Sequence, residues 1–113
     1  HDHLFEHWVE RYTDASGPHR LDNLVTGGGG APLYAYQGEP NLQEYIAAGK
    51  DAKLTLEHLV KPGPKPGDNP YHYVIVQVDG NAIQLEVVGV DWGSGFRPYF
   101  SRTFLLSDAI AIK

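Results

Sequence analysis

The chain opens His1-Asp2-His3. On an extended strand, residues two apart point to the same side, so the two imidazoles stand together. Neutral imidazole nitrogens suit zinc, iron, manganese or copper, and His1 and His3 are the metal-ligand pair this sequence offers. His3-Leu4-Phe5-Glu6-His7 also fits H-x-x-E-H, the pattern of inverted zinc proteases. That chemistry needs a helix with both histidines on one face, a further carboxylate ligand and Glu6 as general base. A short, strand-rich chain leaves little room for such a fold. If His1 carries a free amine, a third chemistry opens. The amine, two amides and the His3 imidazole then form a square-planar copper or nickel site, or the His1 amine and imidazole form a copper brace.

Other residue types are less productive. With no cysteine in the chain there is no disulfide framework, thiolate metal site or thiol nucleophile. Gly27-Gly28-Gly29-Gly30 lacks the Gly-Lys-Ser/Thr of a phosphate loop and reads as a turn needing positive φ or close backbone approach. Ser94, in Gly93-Ser94-Gly95, lacks the strand–elbow–helix setting of a hydrolase nucleophile. His7, His19, His58 and His72 each read as ordinary packed or turn histidines. Trp8, Tyr34, Tyr36, Trp92, Phe96 and Tyr99 are enough for a sugar-stacking face, although aromatics in a small β domain are more often core. A non-catalytic β-sandwich module binding carbohydrate or a protein partner therefore stays open beside the metal reading.

The elements that must position these residues are mostly strands. Gly and Pro make up 21 of 113 residues and cluster as punctuation. Residues 3–9 alternate as a strand, with His3, Phe5, His7 and Val9 on one face and Leu4, Glu6 and Trp8 on the other. Turn formers from Thr13 to Arg20 predict a loop, followed by a strand from Leu21 to Thr26. Asn41 to Ala48 predicts two helical turns with Asn41 as N-cap, Gly49 as the stop and Leu42, Tyr45 and Ile46 as the buried stripe. Lys53 to Val60 fits a short strand about as well as a helix, with the strand preferred, and the Pro/Gly-rich run 61–70 reads as an irregular loop. The clearest element is a hairpin, Tyr73–Val78 and Ala82–Val90 about Asp79-Gly80-Asn81. A last strand spans Tyr99 to Leu106. The expectation is one domain, 1–113, mostly β with a short helix.

Together these segments resemble the C-terminal part of calcineurin-like metallophosphoesterases, the superfamily that includes purple acid phosphatases. That family closes its metal motifs with Gly-His-x-His, often followed by an aromatic-Glu pair, and His1-Asp2-His3-Leu4-Phe5-Glu6 matches from its first His. Val25-Thr26-Gly27-Gly28-Gly29-Gly30-Ala31-Pro32-Leu33-Tyr34 resembles the strand and Gly-rich turn that follow. The hairpin from Tyr71-His72-Tyr73-Val74 to Val90-Asp91 resembles the closing strands.

The resemblance implies a four-layer α/β/β/α sandwich of which this chain is the C-terminal half. It implies a phosphate ester substrate and a dinuclear site of iron, zinc or manganese, where His1 and His3 each bind a different metal. Two such metals activate a bridging hydroxide for in-line attack on phosphorus. The family's upstream ligands, in Asp-x-His, Gly-Asp and Gly-Asn-His blocks with one further His, have no counterpart here. Two imidazoles do not hold two metals, so the remaining ligands are expected from a missing N-terminal half or from a second copy. An isolated half-sandwich exposes an apolar sheet face, and such faces promote association, so a homo-oligomer is expected. Many relatives are exported, which points to an exported or periplasmic location. The net charge of -5 and scattered basic residues argue against nucleic acid, and no apolar run reaches membrane-span length.

Overall fold

The computed structural model describes residues 2–65, 68–91 and 95–105. Strands make up 53% of it, in two small antiparallel sheets with one short helix. The first sheet is built from β1 (Phe5–Asp14), β2 (Gly17–Thr26) and β3 (Thr55–Val60), in the order β2-β1-β3. The second is β4 (Tyr71–Asp79), β5 (Ala82–Asp91) and β6 (Gly95–Leu105), in sequence order. Between β2 and β3 run the Gly-rich turn, an extended strap over 31–40, α1 (Gln43–Ala48) and a 3₁₀ turn, Lys50–Ala52. No helix among the described residues is long and apolar enough to cross a membrane.

The late hairpin forms as its alternation predicts. Val74 faces Val87, Val76 faces Leu85 and Val78 faces Ile83, and Gly80 supplies the positive φ of the turn, 59°. The first hairpin corrects the expected loop over 13–20. β1 continues to Asp14, two residues turn, and β2 begins at Gly17 with φ 115°. Asp14 closes this turn by accepting from Ser16 N at 2.8 Å and from Ser16 Oγ at 2.6 Å. The far halves of these strands are half-exposed, so backbone pairing holds them and their side chains stay polar. Pro18 is tolerated because β2 is an edge strand.

The helix also needs correction. Leu42, not Asn41, occupies the N-cap, while Asn41 Oδ1 accepts from Gln43 N at 3.2 Å. Of the expected buried stripe Leu42 is half-buried, while Tyr45 at 50% and Ile46 at 38% are exposed. Tyr45 instead donates its hydroxyl to Glu10 of β1 at 2.6 Å, so α1 rests on a strand through a polar contact. The Pro-rich loop is irregular as expected, organised by Asn69, which is 1% exposed. Its Oδ1 accepts from Gly63 N at 2.6 Å, and its Nδ2 donates to Gly63 O at 3.0 Å and to Tyr34 O at 3.4 Å.

The sheets meet around Phe5, Leu85 and Val87, with Leu24, Val60, Val74 and Tyr99 packed about them. A register shift in β6 leaves Tyr99 unpaired between the partners of Val87 and Val88. Such a bulge re-aims a side chain, and here the Tyr99 ring meets Phe5 edge-on, centroids 6.3 Å apart. His72 joins the sheets at the same place. Its Nδ1 donates to Pro70 O at 3.2 Å and its Nε2 accepts from the Thr26 hydroxyl at 2.9 Å. Both nitrogens are thus satisfied in the neutral ring, and burial holds the His72 pKa below its usual value. The molecule is elongated and thin, 52 × 36 × 17 Å. A ten-residue strand spans about 33 Å, so the sheets overlap only in part.

Candidate functional site

His3 lies in the bend before β1 and is held on three sides by the start of the strap that follows the Gly-rich turn. Its Nδ1 donates to Pro32 O at 2.6 Å, its ring stacks on Tyr34 at 4.2 Å, and its carbonyl accepts from Tyr34 N at 3.0 Å. One residue on, Leu4 O accepts from Gly27 N at 3.0 Å. The segment around His3 and the Gly-rich turn are therefore interlocked in space. The glycines explain how. A Cβ at Gly27 would strike the Asp2 carbonyl, and one at Gly28 would strike the His72 ring, so close backbone approach is what the turn needs.

A carbonyl can only accept, so the Nδ1 of His3 carries the proton and the neutral ring keeps its lone pair on Nε2. That is the arrangement in which a backbone carbonyl fixes the tautomer of a metal-ligating histidine. His3 thus fits as one ligand. His1 lies outside the described residues, and no group of three or more His, Asp or Glu suited to one metal occurs among the described residues. A chelate running through the His3 amide would close through Nδ1, and in this structure that nitrogen is engaged by Pro32. The protease pattern fails for a different reason. Glu6 and His7 sit on a strand, so His3 and His7 share no helical face.

His7 itself is fully buried and points elsewhere. Its Nε2 donates to Asp22 Oδ2 at 2.6 Å, while Arg20 clamps the same carboxylate through two bonds of 2.6 and 3.0 Å. Burial tends to raise the Asp22 pKa, but these partners outweigh it and hold the carboxyl down at about 2.

A second cluster was not visible as a motif. On the opposite face of β1, Trp8 stacks flat on His58 of β3 at 3.9 Å and 8°. The register shift that leaves Leu59 unpaired puts these two residues opposite one another. Trp8 Nε1 donates to Glu6 Oε2 at 3.0 Å, and His58 Nε2 approaches the same oxygen at 2.8 Å, out of line for a hydrogen bond. From its other side, His58 Nδ1 meets Glu39 of the strap at 3.1 Å and the Tyr36 hydroxyl at 3.3 Å. Lys61 completes the group at 2.8 Å from Glu39. Lys61 and His58 hold the Glu39 carboxyl at about 2, while loss of water and the nearby Glu39 push the Tyr36 hydroxyl up to about 12. The imidazole lies between the two carboxylates, so the donors do not converge on one point as metal ligands would.

Above this cluster the strap and β1 enclose a cleft of about 340 Å³. Asp2, Leu4, Glu6 and Trp8 form one wall, and Tyr36, Gly38 and Pro40 of the strap form the other. The aromatics do not make one platform. Tyr34 is paired with His3, Trp8 with His58, Tyr99 with Phe5 and Phe96 with Tyr73, and Trp92 lies outside the described residues. Local spacing could not have found this cluster and its cleft, because sheet register brings His58 to Glu6 and the irregular strap brings in Glu39. The one available signal was the alternation placing Glu6 and Trp8 on the same face.

No protein-family model, curated protein or solved structure matches the chain.

Proposed function

We propose that this chain supplies the His-x-His end of a metal-dependent phosphoric ester hydrolase, with a fold belonging to the four-layer metallophosphoesterase sandwich. The observation that supports it is the three-sided hold on His3 by Pro32 and Tyr34. That hold orients the ring before any metal arrives and leaves Nε2 as its free lone pair, which lowers the entropic cost of coordination. His1 is the companion ligand in this reading, and the other ligands come from another segment or a second copy. Iron, zinc or manganese bound there would supply Lewis-acid polarisation of a phosphoryl oxygen. The contribution of this chain is to present and orient imidazole at that centre.

The test is calorimetric titration of the chain with Zn²⁺ and Mn²⁺, beside hydrolysis of an aryl phosphate with and without chelator. His3→Ala is expected to weaken metal binding by about tenfold or more, and Tyr34→Ala by less, since it only loosens the ring. Any hydrolysis should disappear with chelator. Equal metal affinity in wild type and His3→Ala would defeat the proposal.

A further inference from the structure

The cleft between β1 and the strap is not on the side of the proposed metal ligand. Asp2, Leu4, Glu6 and Trp8 share its wall, and His3 takes no part in its lining. Its chemistry must be read separately.

Its volume of about 340 Å³ falls in the range of small-molecule sites, ~300–1,000 Å³. The lining is mostly apolar and aromatic, with Leu4, Trp8, Val25, Tyr36 and Pro40. The charged residues in it are both acidic, Asp2 and Glu6, and the wall holds no lysine or arginine. Glu6 is the informative one. Its side chain is 11% exposed and lines the cleft. Both Trp8 Nε1 and His58 Nε2 approach Oε2, so neither of these neighbours takes up Oε1. Lys61, the cation nearest the cluster, is drawn aside to Glu39. A fixed carboxylate beside Trp and Tyr rings suits a cation on two counts, by charge and by attraction to the ring faces. The same two carboxylates repel anions and phosphates.

We infer that the cleft binds a small organic ammonium compound, its cationic group beside Glu6 and Asp2 and its apolar part against Trp8, Tyr36 and Pro40. Asp2 strengthens the field at the open rim, and Glu6 makes the direct contact. The strap supplies the second wall and is fastened by His58 and Asn69, so the site is preformed.

The experiment is amide NMR titration of the full chain with benzylammonium, with benzyl alcohol as the neutral counterpart and benzoate as the anionic one, all in the presence of chelator. Benzylammonium is expected to give saturable shifts centred on Leu4, Glu6, Trp8 and Gly38. Benzyl alcohol should bind about tenfold more weakly, and benzoate more weakly still. Glu6→Gln should remove the preference for the cation. Asp2→Asn, at an exposed rim position, should weaken benzylammonium by a few-fold and leaves the fold undisturbed, so it decides the matter even if Glu6→Gln unfolds. His3→Ala should change nothing, which separates this site from the metal proposal. Equal binding of the ammonium and the alcohol, shifts scattered over the second sheet, or no saturable binding of benzylammonium would each overturn the inference.

Discussion

The two sheets are of similar size and strand number but are held and finished in different ways. The first sheet and its strap carry every ion pair found among the described residues, from His7–Asp22 and Arg20–Asp22 to His58–Glu6 and Lys61–Glu39. The second exposes Val78 at 68%, Val76 at 55% and Phe96 at 73%. Polar groups in the first sheet fix side chains in single orientations, which a ligand site needs. Apart from His72, the described side chains that mark the second sheet are these exposed apolar ones, which do not orient a partner but reward covering. One half of the molecule is rich in ion pairs and the other in exposed apolar side chains.

The largest test of this contrast falls where the halves touch. Phe5 belongs to β1 yet is 1% exposed against Leu85 and Val87, and its ring meets both His72 and Tyr99. Phe5→Ala should cost about 3–5 kcal/mol, read as a drop in the midpoint of urea unfolding. If the sheets were independent, the loss would be confined to the first. Because the contact is shared, amide exchange should accelerate in β5 as well as in β1. Unchanged protection in β5 would show that the second sheet stands without the first.

How much of this was legible in the sequence follows the same division. The β4–β5 hairpin was readable because Asp79-Gly80 and the alternating valines specify both turn and register. The first hairpin was less so, since Thr13 to Arg20 carries turn formers that in fact line exposed strand ends. The site divides similarly. His3 was visible from spacing, and the close approach at Gly27 and Gly28 from the glycine run. The cluster of Glu6, Trp8, His58 and Glu39 was not, because a one-residue bulge at Leu59 and an irregular strap create it. Neither leaves a periodic trace. The helix failed in the opposite sense: Tyr45 and Ile46 have the spacing of a buried stripe, but no layer covers them.

An intermediate effect is expected inside the first sheet. Asp22 ties His7, which is 0% exposed, to Arg20, so Asp22→Asn should cost about 1–3 kcal/mol. The pH dependence has a defined sign. With its pKa lowered from 3.8 to about 2, Asp22 stabilises the folded chain fully above about pH 4. That stabilisation is lost as the pH falls toward 2. Wild type should therefore steepen in its acid unfolding between those values, and Asp22→Asn should flatten the same limb. Asp14 and Glu39 are also held at about 2 but are solvated, so their removal should leave most of the slope. An unchanged acid limb in Asp22→Asn would assign the steepness to them instead.

The smallest effect on stability is expected in the second sheet, where it separates folding from association. Val78 stands at the hairpin tip, paired with Ile83 and 68% exposed, so Val78→Lys should change the stability of a monomer by no more than about 0.5 kcal/mol. Its neighbours Val76 and Ile75 are also exposed, and β4 is an edge strand. An edge whose exposed residues are mostly apolar invites another copy to pair with it, and a lysine there is a recognised deterrent. If the chain self-associates through this sheet, Val78→Lys should lower its apparent mass in sedimentation equilibrium while leaving the unfolding midpoint of dilute protein in place. A lysine at Leu21, 49% exposed on β2, is the matched control and should leave the mass unchanged. An equal response to both would mean that exposed apolar surface in general, and not the unfinished second sheet, drives association. The contrast between the sheets would then concern composition alone.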